Sequence, residues 1–212
     1  MRLIRYAHAC VRLESAAGVL VFDPSGFAGP EALTGADVVL VSHGHFDHVD
    51  PDLLRTAGAG LRVWAPAPVV AELPDLGGRA SVVGPGETFD AAGYRVRTYG
   101  GTHARVHPHL LPDPAVPFVP NVGYLVDGVY HPGDALVAPD APVRTLLLPV
   151  SGPWLKVAEA VDFARAVGAE RTVPIHDAIN SELGNQVVDR TLRALLPDTD
   201  YRRLAPGESI EL

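Results

Sequence analysis

Residues 43–48 read His-Gly-His-Phe-Asp-His, and they follow the β-branched run DVVLV at 37–41 through a single serine, Ser42. Four good metal ligands within six residues, delivered straight from an apolar strand, constrain the chain more than anything else in it. In extended backbone residues 43 and 45 point to the same side, so two neutral imidazoles grip one borderline cation. Asp47 and His48, beyond the turn that must follow, face another direction and suit a second ion beside the first. The other candidates also stand at strand exits: His103 after Gly100-Gly101, Asp134 after the segment YHPG, and His176 after RTVPI. An isolated histidine at a strand end is ordinarily a hydrogen-bonded surface or core residue. Five His and two Asp at four successive strand exits form a pattern that a packed core does not need. A donor set rich in imidazole and poor in carboxylate favours Zn²⁺ over Mg²⁺ or Ca²⁺.

The pattern around these positions is of short strands interleaved with helices. Alternation predicts strands at 2–7, 10–14 and 18–22, then 37–41, 61–65, 80–83, 86–90 and 93–99. Short helices are expected at 51–57 and 67–73. Residues 101–120 hold five prolines and three histidines, which predicts a long loop without regular structure. Asp127-Gly128 signals a hairpin between strands at 121–126 and 128–131. A buried strand at 144–149 leads to a helix over 154–167, where Leu155, Ala158, Val161 and Ala164 share a face and Gly168 ends it. A strand at 171–175, a helix near 185–196 and strands at 199–203 and 208–212 complete the chain.

A chain of 212 residues with no linker-like shift in composition is expected to form one domain, 1–212. Seventeen Lys plus Arg against 25 Asp plus Glu leave a net charge of −8, so no basic field attracts nucleic acid or an anionic membrane. Cys10 is the one cysteine, which excludes an internal disulfide and suits a reducing cytosol. The first residues lack an apolar signal core and no 18-residue apolar run occurs, so a cytoplasmic protein is expected. A homo-oligomer is compatible with this composition but is not readable from it.

The motif SHGHFDH (42–48), followed in order by GGTH (100–103), YHPGD (130–134) and PIH (174–176), resembles the signature of the metallo-β-lactamase-fold hydrolases over nearly the whole chain. YAHACVRLE (6–14), FDP (22–24) and VPIHD (173–177) are most similar to the small bacterial branch related to ascorbate-6-phosphate lactonase. The resemblance implies an α/β fold, a four-layer αβ/βα sandwich with the metal site at one edge of the sheets. It also implies that His43, His45 and His103 hold one ion, that Asp47, His48 and His176 hold the other, and that Asp134 bridges them. Flavin-partnered di-iron relatives commonly carry glutamate where this chain has His45. That difference favours zinc and hydrolysis, with manganese or iron loading left open.

Two neighbouring cations share a water and lower its pKa from 15.7 toward ~7, presenting hydroxide at neutral pH. The expected function is therefore a binuclear zinc hydrolase cleaving a small ester, lactone, amide or phosphoester. Asp47 either ligates the second ion, accepts the proton of the attacking water, or does each in turn; Asp47 and Asp134 are the candidate catalytic carboxylates. Asp23 either fixes the tautomer of a ligating imidazole or is a turn-forming residue before Pro24. His8 either lines the pocket or is structural, and among His107, His109 and His131 the last is the best candidate. Trp154 and Lys156 either cover and charge-match an anionic substrate group or form an ordinary helix N-terminus. The loop 104–120 is the expected specificity element. The competing readings are a nucleic-acid-processing metallo-hydrolase, opposed by the charge, and a metal-binding or sensing module without turnover.

Overall fold

The computed structural model describes residues 1–107 and 119–212. Strands β1 (Arg2–Arg5), β2 (Val11–Ser15) and β3 (Gly18–Phe22) form an antiparallel meander. β4 (Val38–Leu40), β5 (Arg62–Ala65) and β6 (Ala80–Val82) then add in parallel, with α1 (Pro51–Thr56) and α2 (Ala67–Ala71) in the connections. In the second half β7 (Thr88–Ala91), β8 (Tyr94–Thr102), β9 (Pro120–Val126) and β10 (Val129–His131) are antiparallel neighbours. β11 (Thr145–Pro149), α3 (Val157–Val167), β12 (Arg171–Ile175), α4 (Glu182–Leu195), β13 (Asp200–Tyr201) and β14 (Ser209–Glu211) follow. The result is two seven-stranded sheets, ordered β14-β1-β2-β3-β4-β5-β6 and β13-β12-β11-β10-β9-β8-β7.

Period-two alternation sorts the apolar side chains into layers. Leu20, Phe22, Val38 and Leu40 from one sheet pack with Val96, Tyr124, Val126, Leu147 and Val173 from the other. Val21, Val39 and Val63 point the opposite way, onto Leu54 of α1 and Val69 of α2. Leu146 and Leu148 likewise face Ala160 and Phe163 of α3 and Val188 and Leu192 of α4. Helix, sheet, sheet and helix therefore stack as the expected four layers, with the shared apolar core between the sheets.

The largest differences from the expected boundaries lie at three places. β8 runs on to Thr102 and β9 begins at Pro120, with Thr102 opposite Pro120, so the ends of the segment 101–120 are strand. Gly100 and Gly101 adopt positive φ at the strand end, and Pro120 sits at the first residue of its strand, where a missing N–H is tolerated. α3 starts at Val157, because Lys156 is extended and its N–H donates to the Glu159 carboxylate at 2.8 Å. α4 starts at Glu182, where Ser181 Oγ accepts from Gly184 N at 3.1 Å. The Asp127-Gly128 turn, with φ of 46° and 84°, has the paired positive φ of a tight hairpin. His109 and most of the segment 104–120 lie outside the described residues.

Candidate metal centre

β4 stops at Leu40, and residues 41–50 carry no regular structure until Asp50 caps α1, accepting from Asp52 N and Leu53 N. His48 N and Val49 N both donate to His45 O, at 3.0 and 3.1 Å, and this tight turn swings Asp47 and His48 away from His43 and His45. His103 arrives from the end of β8, Asp134 from the turn after β10 and His176 from the end of β12. His43, His45 and His103 place one donor atom each within 4.8 Å of one another, as do Asp47, His48, His176 and His8. Asp134 joins the two groups. Its Oδ2 lies 3.2 Å from His103 Nε2, 4.0 Å from His43 Nε2 and 3.0 Å from His176 Nε2, and its Oδ1 lies 3.2 Å from His48 Nε2.

The ring protons show what these atoms lack. His43 Nδ1 is 3.0 Å from Ser42 Oγ, His48 Nδ1 is 2.7 Å from Asp23 Oδ2, and His103 Nδ1 is 2.5 Å from Ala104 O. Each of these acceptors takes the Nδ1 proton and turns Nε2 inward, the nitrogen that would ligate a cation once any proton on it is displaced. His43 Nε2 and His45 Nδ1 face each other at 3.0 Å. His48 Nε2, Asp134 Oδ1 and both ring nitrogens of His176 are buried without a hydrogen-bond partner. Buried polar atoms left unsatisfied are costly, and a cation among them would supply the partner they lack. The donor chemistry, five imidazoles and two carboxylates, fits a transition-metal centre.

Electrostatics without an ion agree with that fit. Burial pushes the pKa of His43 well below the ordinary histidine value and lowers that of His45, leaving both neutral. Burial opposes charge on His48 too, but the carboxylates of Asp134 and Asp23 outweigh it and raise its pKa. At His176 burial is outweighed by the carboxylates of Asp134 and Asp47, 3.0 and 3.5 Å from Nε2, and the pKa is pushed up to about 9. Asp134 and Asp47 are held far below the usual carboxylate range by the surrounding histidines, against the effect of burial. Protons on His48 and His176 thus separate the carboxylates in the metal-free protein, and a dication binding there must displace them.

The surrounding residues take distinct parts. Asp23, at φ 44° after β3, accepts from Ser42 N at 2.7 Å and Ser42 Oγ at 2.6 Å besides meeting His48. His131 is fully buried, with Nε2 donating to Ala9 O at 2.9 Å and Nδ1 accepting from Gly133 N at 3.1 Å, so it braces the turn that carries Asp134. Trp154 is 8% exposed, its ring centroid 5.7 Å from His103 and 5.8 Å from His176, and it walls the side where the two groups meet. Lys156 is exposed at the N-cap of α3, and His107 is exposed beyond His103. His8 is buried beside Asp47.

Sequence reasoning passed over three residues. Asn121 is fully buried; its Oδ1 accepts from Asp134 N at 2.9 Å and its Nδ2 donates to Pro132 O at 2.9 Å. The available signal was a lone amide opening the apolar run VGYLV. Ser42 supplies the hydroxyl joining Asp23, His43 and His48. Asp177, beside His176, is buried between Arg5 and Arg203.

Comparison with known proteins gives these features a family. The model of a family described as a beta-lactamase superfamily domain matches residues 2–176. Protein Rv0786c of Mycobacterium tuberculosis is 37% identical over 190 residues, covering 84% of this chain and 85% of its own. A UPF0173 metal-dependent hydrolase of Methanoregula boonei is 29% identical over all of this chain and 98% of its own. Among solved structures, Igni18, a metallo hydrolase from Ignicoccus hospitalis, superposes with a TM-score of 0.75 at 18% identity, covering 99% of this chain and 97% of its own. With its stacked sheets, its His/Asp clusters at one edge and a family match that spans most of its length, the chain belongs to the metal-dependent hydrolases of the metallo-β-lactamase superfamily.

Proposed function

We propose that residues 1–212 form one two-zinc hydrolase that cleaves a small ester, lactone, amide or phosphoester. The observation carrying this reading is the Asp134 carboxylate, within 4.0 Å of ring nitrogens from both groups. His43, His45 and His103 would hold one ion, Asp47, His48 and His176 would hold the other, and Asp134, whose carboxylate lies near both groups, would serve the two. Zinc pairs of this kind supply Lewis acidity toward a carbonyl or phosphoryl oxygen and lower the pKa of water toward ~7. Burial at Asp47 is outweighed by the neighbouring His176 and His8 rings, so its carboxyl is held well below the usual carboxylate range and is ionised, as a ligand must be. Asp23 and Ser42 accept at Nδ1 of His48 and His43 and so direct Nε2 of each ring inward, and Trp154 packs against His103 and His176.

The predominance of imidazole supports zinc over manganese. The net charge of −8 makes nucleic acid the weaker substrate reading. No helix among the described residues is long and apolar enough to cross a membrane, and a single buried free thiol suits the cytoplasm in which we place the protein. The test is metal analysis of protein purified without added metal, with an activity screen over lactones, carboxylic esters, amides, phosphodiesters and RNA. Two zinc equivalents with turnover of a small substrate support the reading. Bound metal without turnover of any of them means a sensing module, and preferential RNA cleavage means a nuclease.

A further inference from the structure

His8 lies in the tight connection between β1 and β2, 1% exposed and at φ 57°. Its carbonyl accepts from His176 N at 3.0 Å, which ties this turn to the strand exit carrying a candidate ligand. Its ring lies against that of His176, tilted by 47° with centroids 3.9 Å apart. Two polar contacts define the ring itself: Ala178 N–H donates to Nδ1 at 3.2 Å, and Nε2 lies 3.1 Å from Asp47 Oδ2. A ring nitrogen that accepts a hydrogen bond carries no proton, so the proton of the neutral ring is on Nε2 and points at Asp47.

Proximity alone would allow a different role, since His8, Asp47, His48 and His176 offer four donor atoms within 4.8 Å of one another. The direction of the Ala178 amide decides against it. His43, His48 and His103 each direct Nδ1 at an oxygen, which leaves Nε2 as the nitrogen that can ligate. In His8 the arrangement is reversed. To ligate through Nε2 it would have to surrender the last proton of its ring while Nδ1 accepts from an amide. That amide is held independently of any ion: the neighbouring Asp177 carboxylate is gripped by Arg5 of β1 through one oxygen and by Arg203 through the other. Arg203 is fixed in turn by Asp189 of α4, and Arg5 also donates to Leu204 O at 3.1 Å. The donor is therefore aimed by a buried ion-pair network.

We propose that His8 is the positioning residue of the second ion site: it donates Nε2–H to Asp47 Oδ2, sets the orientation of that carboxylate, and is not itself a ligand. This rests on the reading of Asp47 as a ligand to one of two ions. The first test is a long-range proton–nitrogen correlation of the histidine rings in the wild-type protein, before and after two equivalents of zinc. His8 keeps its proton on Nε2 in both states, while His48 and His176 change with zinc. A proton on Nδ1, or loss of the Nε2 proton on adding zinc, would overturn the proposal.

The second test compares His8→Phe, which fills the space without a donor, with His8→Gln, whose amide N–H reaches toward the same carboxylate. At φ 57° His is favoured over either substitute, so each variant carries a backbone cost, and the Phe and Gln variants are compared with each other as well as with wild type. In zinc titrations against a chromophoric chelator, the Phe variant weakens the second equivalent about 10–100-fold, leaves the first unchanged, and the Gln variant restores most of the loss. Equal affinity in wild type and the Phe variant, or equal loss in both variants, would show that His8 acts by packing alone. If wild type takes up only one zinc equivalent, the two-ion reading fails, and the ring-nitrogen spectrum still decides whether His8 is donor or ligand.

Discussion

Asp23→Asn separates a structural carboxylate from one that prepares a ligand. The side chain is fully buried and accepts from Ser42 N at 2.7 Å, Ser42 Oγ at 2.6 Å and His48 Nδ1 at 2.7 Å. With the amide oxygen kept on Ser42 N, the NH₂ group faces the other two partners. The serine hydroxyl can rotate and accept. His48 can restore a bond only by giving up its Nδ1 proton and keeping the one on Nε2, which faces Asp134 Oδ1 at 3.2 Å and which a metal would have to displace. Hydrogen bonds to charged groups are each worth ~1.5–3 kcal/mol, so losing the charge and re-forming weaker bonds lowers the stability of the metal-free protein by about 2–4 kcal/mol. Loss of a partner that orients a ligand weakens metal binding about 10–100-fold, here at the equivalent that uses His48. Asp23 sits at φ 44°, which Asn adopts as readily, so the backbone does not confound the comparison. Zinc titration against a chelator together with urea unfolding reads both quantities. Lowered stability with wild-type affinity for both equivalents would refute the reasoning and leave Asp23 as a turn residue.

Asp134→Asn keeps the volume but removes the charge between the two groups; about one metal is retained, kcat falls by several orders of magnitude, and zinc-edge anomalous scattering shows one peak in place of two. Gly133→Ala places a Cβ 2.3 Å from Asn121 Oδ1 and 2.6 Å from Ser42 Cβ at φ 61°, so left-handed strain and overpacking together lower stability by about 2–4 kcal/mol in chemical denaturation. Cys10 is fully buried and burial pushes its thiol pKa up, so a thiol reagent at pH 8 leaves the folded protein unmodified and labels one equivalent in urea. Rapid labelling of the folded protein would contradict that burial.

The amino-acid sequence by itself determined the local chemistry. Alternation in GVLVF and DVVLV sends Leu20, Phe22, Val38 and Leu40 to one side and Val21 and Val39 to the other, which is why the strands were legible. The spacing within His43-x-His45-x-Asp47-His48 separates two pairs of donors around one turn, because four such side chains do not fit one direction of a short segment. Local pattern misplaced the start of α3: Trp154 and Leu155 extend its apolar period, yet Glu159 captures Lys156 N and begins the helix after it.

Tertiary structure decided which distant residues meet. His131 and His103 both stand at strand ends and look alike locally, but Ala9 O and Gly133 N engage both nitrogens of His131, whereas His103 Nε2 is turned toward Asp134. Likewise, the tautomer of His8 is set by the amide of Ala178, 170 residues away. The register of β8 on β9, β9 on β10, and β10 through β11 to β12 brings the exits carrying His103, Asp134 and His176 to one edge, opposite the end of β4. That register follows from burying both faces of each sheet at once, a constraint on the whole chain that no segment contains alone.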